Sequence, residues 1–172
     1  MSMSSCPPEM NPATLESVVR YVPISASLAT AGQPSEAQLA AVAAAGFEVV
    51  INLALHNDAR YSLKDEAATV RALGLEYIHI PVQFTSPSPA DLNTFFNAME
   101  RSAHRKVLVH CAQNKRVPVF IALYRIARLG WSREEALAAM HGVWQPDPVW
   151  ESFIARALQQ PGGIIAESDN KN

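Results

Sequence analysis

The stretch Val107-Leu108-Val109-His110-Cys111-Ala112-Gln113-Asn114-Lys115-Arg116-Val117-Pro118 decides how this chain is read. Val107, Leu108 and Val109 make a short apolar run of the kind that forms a buried strand. A thiol, Cys111, stands at its end, and Arg116 follows at the mouth of a helix. That helix carries Val119, Phe120, Ile121, Ala122 and Leu123 without a polar face, so its first turns are expected to be buried all round. In a tight loop between such elements, successive backbone N–H groups face inward as an anion-binding nest. The helix N-terminus adds about half a positive charge. Arg116 can grip an oxyanion through two N–H groups. The same field is expected to lower the Cys111 pKa from about 8.5 into the range of roughly 3.5–7.5 known for such cysteines. An attractor for phosphate and an activated nucleophile therefore coincide.

Outward from this loop, short β-rich runs alternate with helix patterns. Residues 47–53, 76–81 and 106–110 read as strands, carrying Val49, Val50 and Ile51, then Ile78 and Ile80, then Val107 to Val109. Residues 21–24 and 28–30 are expected to add an edge hairpin. Ser35, Ser62, Ser88 and Ser132 each stand three residues before Gln38, Asp65, Asp91 and Glu135, the spacing of a capping box. Asp147-Pro148 makes a similar start for a helix to about residue 158. Gly46, Gly74 and Gly130 stand where helices end, as glycine does at C′. Leu92, Phe95, Phe96 and Met99 form one stripe on a helix over 90–103. Strands alternating with helices of this length imply parallel pairing through right-handed crossovers. The expected fold is α/β, three αβα layers around a central, mostly parallel sheet. Ligands in such folds sit beyond the carboxyl ends of the strands. Three loops leave those ends: 54–61 with His56, Asn57, Asp58 and Arg60; 82–87 with Gln83 and Thr85; and 111–116.

Composition narrows the function classes. A chain of 172 residues fits one domain. The expected division is a tail over 1–12, a single domain over 13–160 and a second tail over 161–172. Basic and acidic residues number 14 and 16, for a formal charge of -2, which lacks the footprint of a general nucleic-acid binder. No apolar run approaches the roughly 18 residues of a membrane span, and the first eleven residues do not read as a signal peptide. The two cysteines, Cys6 and Cys111, make neither a disulfide framework nor a four-ligand zinc site. No metal or organic cofactor is expected, and the default location is the reduced cytoplasm. Nothing here fixes the oligomeric state or a role for Cys6.

The His-Cys loop closed by Arg resembles the signature of the tyrosine-phosphatase-like superfamily, including its dual-specificity members. More narrowly, the chain looks like the small bacterial phosphatases formerly grouped as a domain of unknown function. These are related to the phosphatase-like part of beta-lactamase-hydrolase-like proteins. The resemblance is carried by Ala31-Gly32-Gln33-Pro34-Ser35, Val50-Ile51-Asn52-Leu53, Gly74-Leu75-Glu76-Tyr77-Ile78-His79-Ile80-Pro81-Val82, and residues 107–117. It implies a cysteine-phosphatase fold, with Cys111 as nucleophile and Arg116 as phosphate clamp. It also implies a cradle from the amides of Ala112, Gln113, Asn114, Lys115 and Arg116, and His110 hydrogen-bonding the thiolate from behind. The partners it implies are a phosphorylated substrate, or free phosphate or sulfate.

Four departures from active tyrosine phosphatases stand in the sequence. Four residues, not five, separate Cys111 from Arg116. Val117 replaces the Ser or Thr whose hydroxyl assists the departing thiolate. Gln83 and Phe84 occupy the stretch where a general-acid Asp is expected. Asn114 replaces a loop glycine, and Asn tolerates a left-handed backbone. The expectation is therefore weak hydrolysis of phosphate monoesters through a thiophosphoryl-cysteine. The alternatives are a phosphate-binding regulatory module, or a rhodanese-like sulfurtransferase, whose loop length this one resembles. His56 and Asp58 are candidate proton donors from the rim. Asp91 is explained by its capping position, and His79 by a structural role. Cys111 alone also fits an inert buried thiol, and Arg116 a carboxylate partner. His141, Trp144, Trp150 and Phe153 read as helix packing, with 144–148 as a possible pocket wall.

Overall fold

The structure is a computed structural model and describes residues 14–55 and 62–159. His56, Asn57, Asp58, Arg60, Cys6 and both predicted tails beyond these bounds lie outside the described residues. Five strands form one sheet: β1 (Val22–Ser25), β2 (Leu28–Ala31), β3 (Val49–Asn52), β4 (Glu76–His79) and β5 (Val107–His110). Their order is β1-β2-β5-β3-β4. Only β1 runs antiparallel to its neighbour; β2, β5, β3 and β4 are parallel. The predicted hairpin is present, but of its two strands only β1 lies at a sheet edge. β2 lies inside the sheet, pairing Ala31 with His110.

Six α-helices lie among the described residues: α1 (Glu36–Ala44), α2 (Glu66–Ala72), α3 (Pro89–Arg101), α4 (Arg116–Arg128), α5 (Arg133–His141) and α6 (Pro148–Gln159). Two apolar cores separate them into layers. Val50 and Leu108 pack with Leu39 and Val42 of α1 and Val70 of α2. Val49, Ile51, Val107 and Val109 pack with α3, α4, α5 and α6. This is the period-two alternation of buried strands, with odd-numbered positions of β3 and β5 to one face and even-numbered ones to the other. The fold is the expected αβα sandwich.

Local chemistry sets the helix starts. Ser35 accepts from the Gln38 amide while the Gln38 side chain accepts from the Ser35 amide, a complete capping box. Ser88 and Ser132 accept from the amides of Asp91 and Glu135. Asp147 Oδ1 accepts from the Trp150 amide. The expected start at Ser62 is corrected. Asp65 itself is the cap, accepting from the Ala68 amide, and α2 begins at Glu66. Two capping residues lay three apart, and the one beside the apolar stripe is used. Gly74 and Gly130 end α2 and α4 with φ of 86° and 79°, conformations that glycine adopts without a Cβ penalty. His141 is exposed on α5 and does not pack as expected, whereas Trp150 and Phe153 are core residues.

Candidate active site

Cys111 and Arg116 bracket the turn from β5 into α4. Strand alternation decides where each neighbour points. His110 shares the register of Leu108 and faces the α1 and α2 layer. Cys111 shares that of Val109 and joins the core against α3 and α4. Cys111 is a free thiol and is buried. The His110 ring does not hydrogen-bond that sulfur as expected. Its Nδ1–H donates to the Cys111 carbonyl at 3.2 Å, and its Nε2 lies 2.6 Å from Glu66 Oε2. Both side chains are fully buried, at 0% exposure. Glu66, the first residue of α2, was not legible as a site residue in the sequence.

The loop is held from outside by the Gly32-Gln33 segment. Gln33 N–H donates to the Ala112 carbonyl at 2.9 Å, and Gly32 bridges to Gln113. A Cβ on Gly32 would stand 2.6 Å from the Ala112 oxygen and 2.9 Å from Val19, so the close approach requires glycine. The Gln33 side chain donates to Glu66 Oε1 and to the Pro34 carbonyl, each at 2.9 Å. Asn114 has φ 58°, the left-handed conformation expected at this position. Its Nδ2–H₂ group donates to the Arg20 carbonyl at 3.0 Å and to Thr30 Oγ1 at 3.1 Å. Lys115 is the residue before α4, and its side chain makes no cap hydrogen bond.

Arg116 is 8% exposed. Among the described residues it pairs with no carboxylate; Nη1–H donates to the Val82 carbonyl at 2.9 Å, and the guanidinium carbon lies 5.5 Å from the Phe84 ring centre. Its Nε–H is buried and has no hydrogen-bond partner among the described residues. A buried donor left unmatched costs about 1–3 kcal/mol. An acceptor placed beside it would recover that cost. The first N–H groups of α4 likewise have no acceptor within the helix. Donors without matched acceptors therefore gather where Cys111 ends its strand.

The loop after β4 forms the opposite wall. Gln83 is exposed, and its carbonyl accepts from the Ser86 amide at 3.1 Å. Trp150 Nε1–H donates to the Phe84 carbonyl at 2.7 Å, and the Phe84 ring packs against Trp144 and Trp150, both 5.8 Å away. Trp144 is half-buried and Trp150 fully buried in this aromatic cluster, so both pack as core aromatics. Asp91 lies in the first turn of α3, where Ser88 receives its amide. His79 Nε2 lies 2.7 Å from the Ala54 carbonyl and its ring stacks on Tyr77, a structural arrangement. Burial, followed by the charge of Glu66, pushes the Tyr77 phenol well above its usual value, so it stays protonated. Among the described residues, no three His, Cys, Asp or Glu side chains come together as a metal site. No described helix is long and apolar enough to cross a membrane.

Comparisons with known proteins place the chain by family and fold. Beta-lactamase hydrolase-like protein of Xylella fastidiosa strain 9a5c is 32% identical over 128 residues, 72% of this chain. The chain spans only 30% of that relative's length. A DUF442 protein of Shewanella putrefaciens CN-32, a candidate phosphatase, superposes with a TM-score of 0.74 at 28% identity, covering 83% of this chain and 93% of that one. TpbA of P. aeruginosa superposes with a TM-score of 0.69 at 19% identity over 88% of this chain and 92% of its own, a likeness of fold. The phosphatase-like domain of beta-lactamase hydrolase-like protein, as a family, matches residues 19–127, and those residues hold the whole Cys111–Arg116 loop and both segments that brace it. With the fold and that match together, the chain belongs to the family of phosphatase-like domains of beta-lactamase hydrolase-like proteins.

Proposed function

We propose that this chain is a cysteine-dependent phosphatase, similar to tyrosine and dual-specificity phosphatases, acting on phosphate monoesters. The observation that carries the reading is the buried Arg116 Nε–H, without a partner among the described residues, at the start of a helix whose N-cap side chain supplies no acceptor. A phosphate oxygen would match both deficits, and sulfate or free phosphate would do the same. In the first step the Cys111 thiolate attacks phosphorus. An S–P bond forms, the P–O ester bond breaks, and the alkoxide or phenoxide leaves with its electron pair. In the second, a water oxygen attacks phosphorus, the S–P bond breaks, and the thiolate returns with release of phosphate and a proton. Covalent catalysis divides one hard step into two. The amides of residues 112–116 and Arg116 supply the positive charge, so the chemistry asks for no metal. A thiolate nucleophile suits a reducing compartment such as the cytoplasm.

Turnover is proposed to be weak. Gln83 cannot donate a proton as a carboxylic acid does, and Val117 offers no hydrogen bond to the departing sulfur. General acid help is worth roughly 10²–10⁴-fold. An anion-binding regulatory role is the second reading, favoured by these two positions. The test uses a leaving-group series of aryl and alkyl phosphates with wild type and Cys111→Ser. Phosphatase action predicts steady release from acidic phenyl esters, a steep dependence on leaving-group pKa, and background rates in the serine variant with phosphate still bound. Tight phosphate binding without turnover in either protein supports the regulatory role instead. Turnover of thiosulfate with cyanide would identify a sulfurtransferase.

A further inference from the structure

Glu66 takes no part in the chemistry proposed above, yet its carboxylate is fully buried. A carboxylate away from water persists only where donors reach it. Here Gln33 and the His110 ring reach it, and both residues hold the loop. His110 Nε2 lies 2.6 Å from Oε2, and Gln33 Nε2–H donates to Oε1 at 2.9 Å. Each of these residues also grips a loop carbonyl. His110 Nδ1–H donates to the Cys111 carbonyl, and the Gln33 amide donates to the Ala112 carbonyl. Capping does not account for Glu66, because Asp65 caps α2.

Peptide planarity gives these contacts a direction. In a trans peptide the C=O and the N–H of one plane point opposite ways. The Cys111 carbonyl shares its plane with the Ala112 N–H, and the Ala112 carbonyl shares its plane with the Gln113 N–H. Holding both carbonyls outward turns both N–H groups to the other side of the loop. We propose that Glu66 is a positioning residue of the anion cradle, acting through His110 and Gln33 to aim the Ala112 and Gln113 N–H groups at a bound phosphate. The assignment rests on the reading of this loop as a phosphate site.

The test compares Glu66→Met, similar in length but without acceptors, with Glu66→Gln. Glutamine keeps an oxygen for Gln33 and offers an N–H to His110 Nε2, which leaves the ring's Nδ1–H on the Cys111 carbonyl. Calorimetric titration with inorganic phosphate is read beside the backbone amide resonances of Ala112 and Gln113. Glu66→Met is expected to weaken phosphate binding about tenfold or more, the size of one charge-assisted hydrogen bond, and to move both resonances. Glu66→Gln is expected to stay within about threefold of wild type, a difference of under one such bond. Wild-type affinity and unmoved resonances in Glu66→Met overturn the proposal. So does equal loss in Glu66→Gln, which would make charge rather than geometry the cause. If Glu66→Met does not fold, Gln33→Met removes one arm alone, and unchanged affinity and resonances there overturn it. If wild type takes up no phosphate while Glu66→Met still moves the resonances, the phosphate reading fails and the positioning role stands.

Discussion

Five of the six described helices start on a side-chain oxygen; the sixth starts on an arginine. Ser35, Asp65, Ser88, Ser132 and Asp147 each accept an N–H from the first turn of α1, α2, α3, α5 or α6. At α4 the preceding residue is Lys115, which makes no such bond. The contrast separates two uses of one structural element. A side-chain cap satisfies the helix start from within, typically for about 1 kcal/mol. An uncapped start beside a buried guanidinium leaves its donors for a ligand. The chain uses the first arrangement to build its frame and the second where Cys111 lies.

Substitutions at the two kinds of helix start should therefore behave differently. The largest expected effect is at Arg116. Arg116→Lys loses the planar fork and the Nε–H together, and is expected to lower phosphate affinity about 10- to 100-fold, one to two charge-assisted hydrogen bonds. Titration with inorganic phosphate checks it, and unchanged affinity would erase the contrast. Next comes the brace. Gly32→Ala places a Cβ 2.6 Å from the Ala112 carbonyl oxygen. It is expected to cost about 1–3 kcal/mol of stability through forced displacement. Because the displaced atom belongs to the loop, phosphate affinity is expected to fall as well; denaturant unfolding and phosphate titration on the same sample check both. The smallest effect belongs to an ordinary cap. Ser132→Ala is expected to cost about 0.5–2 kcal/mol in unfolding free energy with phosphate affinity unchanged. A fall in affinity there would show that the frame and the site are not separable in this way.

The sequence made the frame legible because its rules are local. Capping residues, C′ glycines and strand alternation each act within a few positions, so β3, β4, β5 and most helix starts could be placed by reading along the chain. The misplacement at Ser62 arose because Asp65 carries the same capping chemistry three residues later. The loop from Cys111 to Arg116 was legible for a related reason: its two marker residues and the apolar helix are contiguous. Its support was not. Glu66 lies 44 residues from His110 and meets it only because the even-numbered positions of β5 face α2. Gly32 and Gln33 entered the reading only as part of the family resemblance, because the bond from the Gln33 amide to the Ala112 carbonyl depends on β2 pairing with β5. The role expected of His110 changed for the same reason. The side chain that follows Val109 points away from the side on which the sulfur sits.

The indole of Trp150 holds the Phe84 carbonyl, and the same short segment holds Arg116 through the Val82 carbonyl. Thermodynamic reciprocity follows from that shared segment. If docking of α6 steadies the loop on which Arg116 rests, then whatever Arg116 holds must steady the docking of α6 by an equal free energy. Occupancy at one end of the molecule is then readable at the other. Slowed amide exchange along α6 on adding inorganic phosphate would report that coupling.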